Sequence, residues 1–270
     1  MSIVNIDGVN INYLVKGKGQ PLILIHGHGE SIYTWRRNID GLAEKFAVYA
    51  LDLKGFGDSD KPLDGDYSVS SMAELVLKFM RALKIENAIL VCRSFAGKIG
   101  IRAILSDPPC FGGLVLLGSA VGDFEIWPGF LAMADEGVGE KIMQAQNETN
   151  IKPVVEMLHD KSYTVTPEDI REFLRPSKSE ASINAYLAYF RDFISDRGSL
   201  LGELKKIGVP TLIIWGKNDA FISPKHGELI KNRIKNSKLE ILDKAGHNVH
   251  EDRPDEVNRL IIEFFNSRIT

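Results

Sequence analysis

Three side chains that together could perform nucleophilic catalysis follow apolar runs of the sequence: Ser94, Asp219 and His247. A serine hydroxyl is a poor nucleophile near neutral pH, so it needs a base within hydrogen-bonding distance. Histidine suits that task because its ordinary pKa is about 6.5, and a carboxylate can fix its tautomer and stabilise the imidazolium. The residue types therefore predict acyl chemistry, with Ser94 as nucleophile, His247 as base and Asp219 as orienting acid.

Each of these residues also has a plainer interpretation. A serine before a helix is often only an N-cap, and the frame around Ser94 reads C-R-S-F-A instead of the G-x-S-x-G of a nucleophile elbow. His247 could be structural, and Asp243 is a rival to Asp219 because it lies nearer to His247 in the sequence. The catalytic interpretation is favoured because an acid and then a base follow the serine after later strands.

The altered frame predicts local crowding. Side chains two residues before and after such a serine meet where the strand enters the helix, which is why glycine is usual at both positions. Ala96 adds one methyl group, whereas Cys92 adds a sulfur-bearing branch, so we expect a local shift at Cys92. The charge of Arg93 needs a carboxylate or solvent, and the sequence names no partner for it.

Patterns of hydrophobicity predict the elements that position these residues. Short β-branched or aliphatic runs alternate with longer amphipathic ones, which is typical of a mostly parallel α/β sheet flanked by helices. Asp7-Gly8 is a hairpin turn signal, so the sheet should begin with an antiparallel pair. The predicted strands are 4–6, 10–15, 22–25, 48–53, 88–92, 113–117, 211–215 and 239–242. The helices outside the middle of the chain are predicted at 31–43, 71–83, 95–106, 224–234 and 255–265, the second with a capping box of Ser71 and Glu74.

A helical insertion interrupts this alternation. No strand pattern is found from about residue 123 to residue 199, whereas helices are predicted at 126–134, 139–146, 153–159, 167–174 and 181–194. We therefore predict a core domain of residues 1–122 and 200–270, with an inserted helical cap of residues 123–199.

Five stretches of sequence stand at predicted strand ends, where open α/β sheets bind their ligands. They are LIHG (24–27), DLKGFGDS (52–59), the serine frame (92–96), WGKND (215–219) and AGHNVHEDRP (245–254). In this order the chain resembles the α/β-hydrolase superfamily over nearly its whole length. The resemblance implies an eight-stranded, mostly parallel sheet, and it places a cap between the sixth and seventh strands.

The oxyanion of a tetrahedral intermediate needs fixed hydrogen-bond donors. The backbone N–H groups of His28 and Phe95 are the candidates by position. Aromatic residues of the cap could form an apolar roof over the substrate: Phe124, Trp127, Phe130, Tyr186 and Phe190.

The resemblance implies an enzyme of the carboxylesterase type that cleaves a small to medium, partly apolar ester through an acyl-enzyme. A serine nucleophile speaks against haloalkane dehalogenases and epoxide hydrolases, which use aspartate at this position. Carbon–carbon bond hydrolysis of a diketone-like substrate, cofactor-free peroxidase chemistry and a role as a low-turnover small-molecule receptor use similar triads, and these alternatives stay open.

Composition argues against other classes of protein. With 33 basic and 36 acidic residues the formal net charge is −3, and no basic stripe is present, so nucleic acid is not an expected partner. The sequence shows neither a signal-peptide pattern nor an apolar run of membrane length, so a cytoplasmic protein with no membrane partner is expected. The expected partner is a small-molecule ester, and a homodimer is left open.

A metal site is the remaining alternative. Two histidine pairs, His26 with His28 and His247 with His250, could bind zinc with a carboxylate. The stretch after His28 lacks the Asp-His of a metallo-β-lactamase-like site, and the two cysteines show no C-x-x-C spacing. We therefore expect no metal, no disulfide and no cofactor.

Overall fold

One eight-stranded sheet organises the molecule. The computed structural model of the chain describes residues 1–122, 126, 128–195 and 200–266. The strands run in the spatial order β1-β2-β4-β3-β5-β6-β7-β8. Their bounds are β1 Ser2–Ile6, β2 Val9–Lys16, β3 Gln20–Ile25, β4 Phe46–Leu51, β5 Ala88–Arg93, β6 Phe111–Leu117, β7 Thr211–Gly216 and β8 Ser237–Leu242. Each strand overlaps a predicted one, so the predicted mostly parallel α/β sheet is confirmed.

The direction of the strands decides where polar side chains can meet. β1 and β2 form the predicted antiparallel hairpin and β2 is antiparallel to β4, whereas all other pairings are parallel. The residues of β5 and β7 are buried throughout, as expected for strands covered on both faces. The carboxyl ends of β3, β5, β6 and β7 therefore lie side by side at one edge of the sheet.

Helices cover both faces of the sheet and pack on two apolar clusters of buried side chains. Those before β6 are α1 Ile39–Ala43, α2 Val69–Ala82 and α3 Ala96–Ser106. Between β6 and β7 lie α4 Pro128–Leu131, α5 Val138–Gln144, α6 Glu148–Leu158, α7 Pro167–Leu174 and α8 Glu180–Ser195. The last are α9 Lys225–Lys231, α10 Val249–Asp252 and α11 Pro254–Asn266.

Two predictions for the first helices were wrong. The segment 31–43 is not one helix but a 3₁₀ helix, Ile32–Trp35, followed by α1. Asn38, at the break, exchanges two hydrogen bonds with Asn258 of α11, a tertiary contact that local patterns do not reveal. The capping box at Ser71 is also absent, because Ser68 caps α2 by accepting the Ser71 N–H at 3.1 Å.

The elements described between β6 and β7 are helices, as predicted, but α6 begins five residues earlier than expected. Asn147 caps it by accepting the N–H groups of Thr149 and Asn150, so Pro153 lies inside the helix instead of starting it. The division into a core domain and a cap domain of residues 123–199 remains a prediction. No helix among the described residues is long and apolar enough to span a membrane.

Candidate active site

Ser94 occupies the sharp turn between β5 and α3. Its φ is 51°, a left-handed conformation that is costly for a residue with a Cβ and persists only where the surroundings enforce it. Here the Ser94 N–H donates to the Leu117 carbonyl at 2.9 Å, and the Ser94 carbonyl accepts the N–H groups of Gly97 and Ala120, each at 3.0 Å. These bonds join the turn to β6 and α3 and hold the serine in the geometry of a nucleophile elbow.

The three residues considered for nucleophilic catalysis lie in one chain of hydrogen bonds. Ser94 Oγ is 2.9 Å from His247 Nε2, and His247 Nδ1 is 2.8 Å from Asp219 Oδ2. The second carboxylate oxygen of Asp219 accepts the N–H groups of Phe221 and Ile222 at 2.8 and 2.9 Å. Ser94 and His247 are each only 4% exposed, so the contact between hydroxyl and base is shielded from solvent.

Asp243, the rival acid, lies elsewhere. Its side chain is 74% exposed and binds Lys217 Nζ at 2.7 Å. The structure therefore brings Asp219, and not Asp243, to the imidazole of His247.

The two backbone donors named as an oxyanion hole lie in the turn of Ser94 and in the loop after β3. Within the described part of the molecule, the N–H groups of His28 and Phe95 donate to no protein acceptor. Phe95 directly follows the strained Ser94, and His28 lies in the loop after β3, the strand that pairs with β5. Both donors are thus available to a ligand atom, as an oxyanion hole requires.

The imidazole of His28 lies in an aromatic cluster. Its ring centroid is 3.8 Å from that of Tyr186, 5.2 Å from that of Phe95 and 5.7 Å from that of Phe190. Both of its ring nitrogens are buried and, among the described residues, lack a partner. Burial, with a smaller contribution from His26, lowers the pKa of His28 to about 3, so the ring is neutral near pH 7.

The predicted pocket residues fall into two groups and an undescribed remainder. Tyr186 and Phe190 of α8 contact the His28 ring as given above. Phe130 packs edge-on against Phe221 with centroids 5.9 Å apart, and the Phe221 ring lies 5.6 Å from that of His247. Phe124 and Trp127 lie outside the described residues, and the substrate-binding role of the set remains a prediction. Phe193, which was not among the predicted pocket residues, stacks on Phe95 with the two ring centroids 3.8 Å apart.

Cys92 fits into the elbow because its partner on α3 is a glycine. The thiol faces Gly100, where an added Cβ would lie 2.3 Å from Cys92 Sγ. The crowding expected at Cys92 is thus relieved by a glycine four residues beyond the usual position. Burial also raises the pKa of the Cys92 thiol far above its ordinary value, which makes a reactive thiolate unfavourable.

Arg93 has the carboxylate partner that the sequence could not name. Its Nη1 lies 2.7 Å from Glu30 Oε1, and its Nη2 donates to the side-chain oxygen of Asn248. Neither partner was predicted from the sequence. Their only signal was position, since Glu30 ends the stretch HGHGE and Asn248 follows His247.

Three of the four histidines considered as zinc ligands, His26, His247 and His250, have other partners, whereas His28 lies in the aromatic cluster described above. His26 accepts the Leu53 N–H through Nε2 at 3.0 Å and meets the Gly27 carbonyl through Nδ1 at 2.8 Å. His250 Nε2 lies 2.8 Å from the Thr34 hydroxyl. Among the described residues, no three His, Cys, Asp or Glu side chains converge as metal ligands would.

Comparison with known proteins identifies the family. The alpha/beta hydrolase fold family matches residues 20–254, and the chain therefore belongs to this family of hydrolases. It is 31% identical to the uncharacterized hydrolase YugF of Bacillus subtilis, over 96% of this chain and 95% of that protein.

Two further relatives carry a named activity. The chain is 28% identical to the 2-hydroxy-6-oxo-6-(2'-aminophenyl)hexa-2,4-dienoic acid hydrolase of Metapseudomonas resinovorans, over 98% of this chain and 90% of that protein. Among solved structures it is similar to the meta-cleavage product hydrolase of Pseudomonas fluorescens, with a TM-score of 0.88, 28% identity and coverage of 99% of this chain and 98% of that one.

Proposed function

We propose that this protein is a serine hydrolase that cleaves a small to medium, partly apolar carboxylic ester through an acyl-enzyme. The observation that carries the proposal is the continuous chain from Ser94 Oγ through the His247 imidazole to Asp219, with contacts of 2.9 and 2.8 Å at an elbow serine.

In the acylation step, Ser94 Oγ attacks the ester carbonyl while His247 Nε2 takes the hydroxyl proton. Asp219 stabilises the imidazolium that results, because its Oδ2 accepts the hydrogen bond from Nδ1–H. The oxyanion of the tetrahedral intermediate accepts the N–H groups of His28 and Phe95. Collapse of the intermediate breaks the bond to the leaving oxygen, which takes the proton from His247 Nε2 and departs as the alcohol.

Deacylation repeats these roles with water. His247 takes a proton from the water as it attacks the acyl carbon, and the second tetrahedral intermediate uses the same two N–H donors. Its collapse returns the proton to Ser94 Oγ and releases the carboxylic acid. The two steps together consume one water for each ester and transfer only protons and the acyl group, so no redox step or cofactor is needed.

The surroundings of the site favour a substrate with apolar character. The rings of Phe95, Tyr186 and Phe190 cluster around His28, and burial keeps the His28 imidazole neutral. A substrate that displaces water from these surfaces gains free energy in proportion to the apolar area that it buries. Ser94 is 4% exposed, so its hydroxyl is largely shielded from bulk solvent.

Hydrolysis of a carbon–carbon bond is the second candidate, and the named activities of two relatives support it. The Metapseudomonas and Pseudomonas hydrolases that match almost the whole chain act, by their names, on a dienoic acid and on meta-cleavage products. The same triad and oxyanion donors would serve, but the leaving group would be a carbanion-like carbon that must be protonated.

A comparison of substrates separates the two candidates. Steady-state hydrolysis would be measured for p-nitrophenyl esters with acyl chains of two to ten carbons. Hydrolysis of 2-hydroxy-6-oxo-6-(2'-aminophenyl)hexa-2,4-dienoate would be measured beside it, as the loss of absorbance of the dienoate. We expect turnover of the esters that Ser94→Ala and His247→Ala each abolish without loss of folding, as judged by circular dichroism. A kcat/KM for the dienoate well above that for every ester would favour carbon–carbon hydrolysis. Labelling of Ser94 by a fluorophosphonate without turnover of any substrate would favour a receptor.

A further inference from the structure

A buried cation adjoins the nucleophile. The Arg93 side chain is 3% exposed, and that of Glu30, its carboxylate partner, is 9% exposed. A buried charge is tolerated only when it is paired and hydrogen-bonded. The two Nη atoms of the guanidinium have acceptors, Glu30 Oε1 at 2.7 Å and the side-chain oxygen of Asn248, whereas its buried Nε has no partner among the described residues.

Glu30 connects Arg93 to the loop that carries one oxyanion donor. Its second oxygen, Oε2, accepts the Gly27 N–H at 2.8 Å, and the Glu30 N–H donates to the Gly27 carbonyl at 3.3 Å. Both ends of the Gly27 backbone are therefore held by Glu30. The next residue, His28, supplies the oxyanion N–H.

The guanidinium also lies directly against this loop. A Cβ added at Gly27 would lie 2.4 Å from Arg93 Nη1 and 2.9 Å from Glu30 Oε2. Only a residue without a side chain lets the loop approach the ion pair so closely. The position of the Gly27–His28 peptide is thus set by contact with Arg93 as well as by the Glu30 hydrogen bonds.

The other acceptor of Arg93 connects it to the catalytic base. Asn248 follows His247, and its Nδ2 donates to Glu251 Oε1 at 3.1 Å. The Asn248 N–H donates to the Leu158 carbonyl at 2.8 Å. Arg93 therefore contacts the loop of the oxyanion donor and the neighbour of the base, and it precedes the nucleophile in the chain.

We propose that Arg93 and Glu30 are positioning residues, which hold the His28 N–H and the His247 imidazole in the correct placement relative to Ser94. The inference rests on the proposed serine-hydrolase function. Oxyanion stabilisation and base catalysis depend on placement to a fraction of an ångström, so loss of the pair should lower kcat more than it raises KM. The planar fork of arginine can bind two acceptors at fixed angles, which lysine cannot do.

The test compares four variants with wild type on the best p-nitrophenyl ester. Arg93→Met removes the charge and both hydrogen bonds. Glu30→Gln keeps the volume but leaves one oxygen where two are needed, so either the Gly27 N–H or Arg93 loses its acceptor. Arg93→Lys keeps the charge without the fork, and the double variant Arg93→Met/Glu30→Gln tests whether the two residues act together. Arg191→Met is the control, because Arg191 also pairs with a glutamate, Glu140, but it is more exposed than Arg93 and donates hydrogen bonds to Glu140 and to the carbonyl of Ala134.

We expect kcat to fall about 10- to 100-fold in Arg93→Met and in Glu30→Gln, with KM within about threefold, since one lost oxyanion donor typically costs about 100- to 1,000-fold. Arg93→Lys should be intermediate. The double variant should lose less than the product of the two single losses, because the Arg93–Glu30 contact is common to both. The inhibition constant of a trifluoromethyl ketone, whose adduct with serine places an oxyanion between the same donors, should rise in parallel with the loss of kcat. Arg191→Met should keep the kcat of wild type.

A purely structural role predicts a different result. The melting temperature would fall while kcat and the inhibition constant stayed within about threefold of wild type, and this would overturn the proposal. Losses that multiply in the double variant would also contradict it, because they would show two independent effects. If Arg93→Met does not fold, Glu30→Gln and Arg93→Lys still decide the outcome. Ser94→Ala in the same assay tests the serine-hydrolase proposal separately. If Ser94→Ala kept the kcat of wild type, the serine-hydrolase function itself would be refuted, whereas unchanged kcat in the Arg93 and Glu30 variants alone would refute only the positioning role.

Discussion

Two aspartates compete for the same role on sequence grounds, and their surroundings differ. Asp219 Oδ2 meets the His247 imidazole while its Oδ1 accepts two backbone N–H groups, and the side chain has no exposed area. Asp243 lies at the surface, where its ion pair with Lys217 lowers the pKa of the carboxyl. Only a carboxylate held in place can fix the tautomer of the base, so the chemistry of each residue follows from what surrounds it.

A pair of matched substitutions tests this assignment. Asp219→Asn keeps the shape of the side chain but permits the wrong histidine tautomer, so we expect kcat for ester hydrolysis to fall by about 1,000- to 10,000-fold. Asp243→Asn removes the same charge from an exposed site and should leave kcat within about twofold of wild type. Steady-state kinetics of both variants provide the measurement. Equal losses in the two variants would show that Asp219 has no special role.

At the scale of elements, the packing of β5 against α3 determines whether the elbow can form. The strand delivers Ser94 and the helix begins two residues later, so the two elements are in close contact there. Cys92 of β5 fits because Gly100 of α3 faces it. The substitution of cysteine for the usual glycine before the serine is therefore tolerated because of the packing between both elements, and not because of the pentapeptide alone.

Alanine at position 100 should destabilise the protein through this contact. The new Cβ would lie 2.3 Å from Cys92 Sγ, and overpacking of this kind typically lowers the free energy of unfolding by about 1–3 kcal/mol. Cys92→Ala in the same chain should recover most of the loss, because it removes the sulfur. Urea denaturation measures both effects. Gly208→Ala is the control, since a Cβ there meets nothing within 4 Å. An unchanged cost of Gly100→Ala in the Cys92→Ala background would show that the sulfur is not the obstacle.

At the scale of the whole molecule, the core contains histidines that are held neutral. Burial is the largest cause of the lowered pKa of His26, of His28 and of His250. On unfolding, each ring regains its ordinary pKa of about 6.5 and binds a proton below it. The unfolded state therefore binds more protons than the folded state at acidic pH, and stability falls as the pH falls.

His28 allows this linkage to be measured. Because its pKa is about 3 in the folded protein, its contribution to stability is fully present above about pH 6.5 and declines as the pH falls towards about 3. His28→Phe keeps an aromatic ring among Phe95, Tyr186 and Phe190 but removes the titrating group. We expect the free energy of unfolding, measured in urea at pH 8, 7 and 5, to fall less steeply towards acid in this variant than in wild type.

At pH 8 His28 is uncharged in both the folded and the unfolded state, so the difference between the two proteins at this pH reports only the change in packing. Glu251, whose pKa is raised by burial, contributes with the opposite sign, but it is present in both proteins and so does not affect the difference. Parallel curves for wild type and His28→Phe would show that His28 titrates normally in the folded state.

Much of the fold could be predicted because its signals are local. All eight strands begin and end within two residues of the predicted positions, since continuous apolar runs such as 22–25 and 212–215 must be buried on both faces of a sheet. Helix boundaries were less accurate. The break at Asn38 depends on Asn258, and the start of α6 depends on the cap that Asn147 provides, so neither follows from hydrophobic periodicity.

The sequence by itself determined the types and the order of the reactive groups and the strand ends on which they stand. A parallel sheet brings those ends to one edge, so the proximity of Ser94, Asp219 and His247 could be expected from the order of the strands alone. Only the tertiary structure decided which aspartate contacts the histidine, which residues pair with the Arg93 guanidinium and how the Cys92 side chain packs beside the elbow. Glu30, Asn248 and Gly100 answer the last two questions. Glu30 and Asn248 lie far from the serine along the chain, and Gly100 faces Cys92 from the helix beyond the elbow. The contacts that decide burial, charge pairing and close packing exist only when the chain is folded.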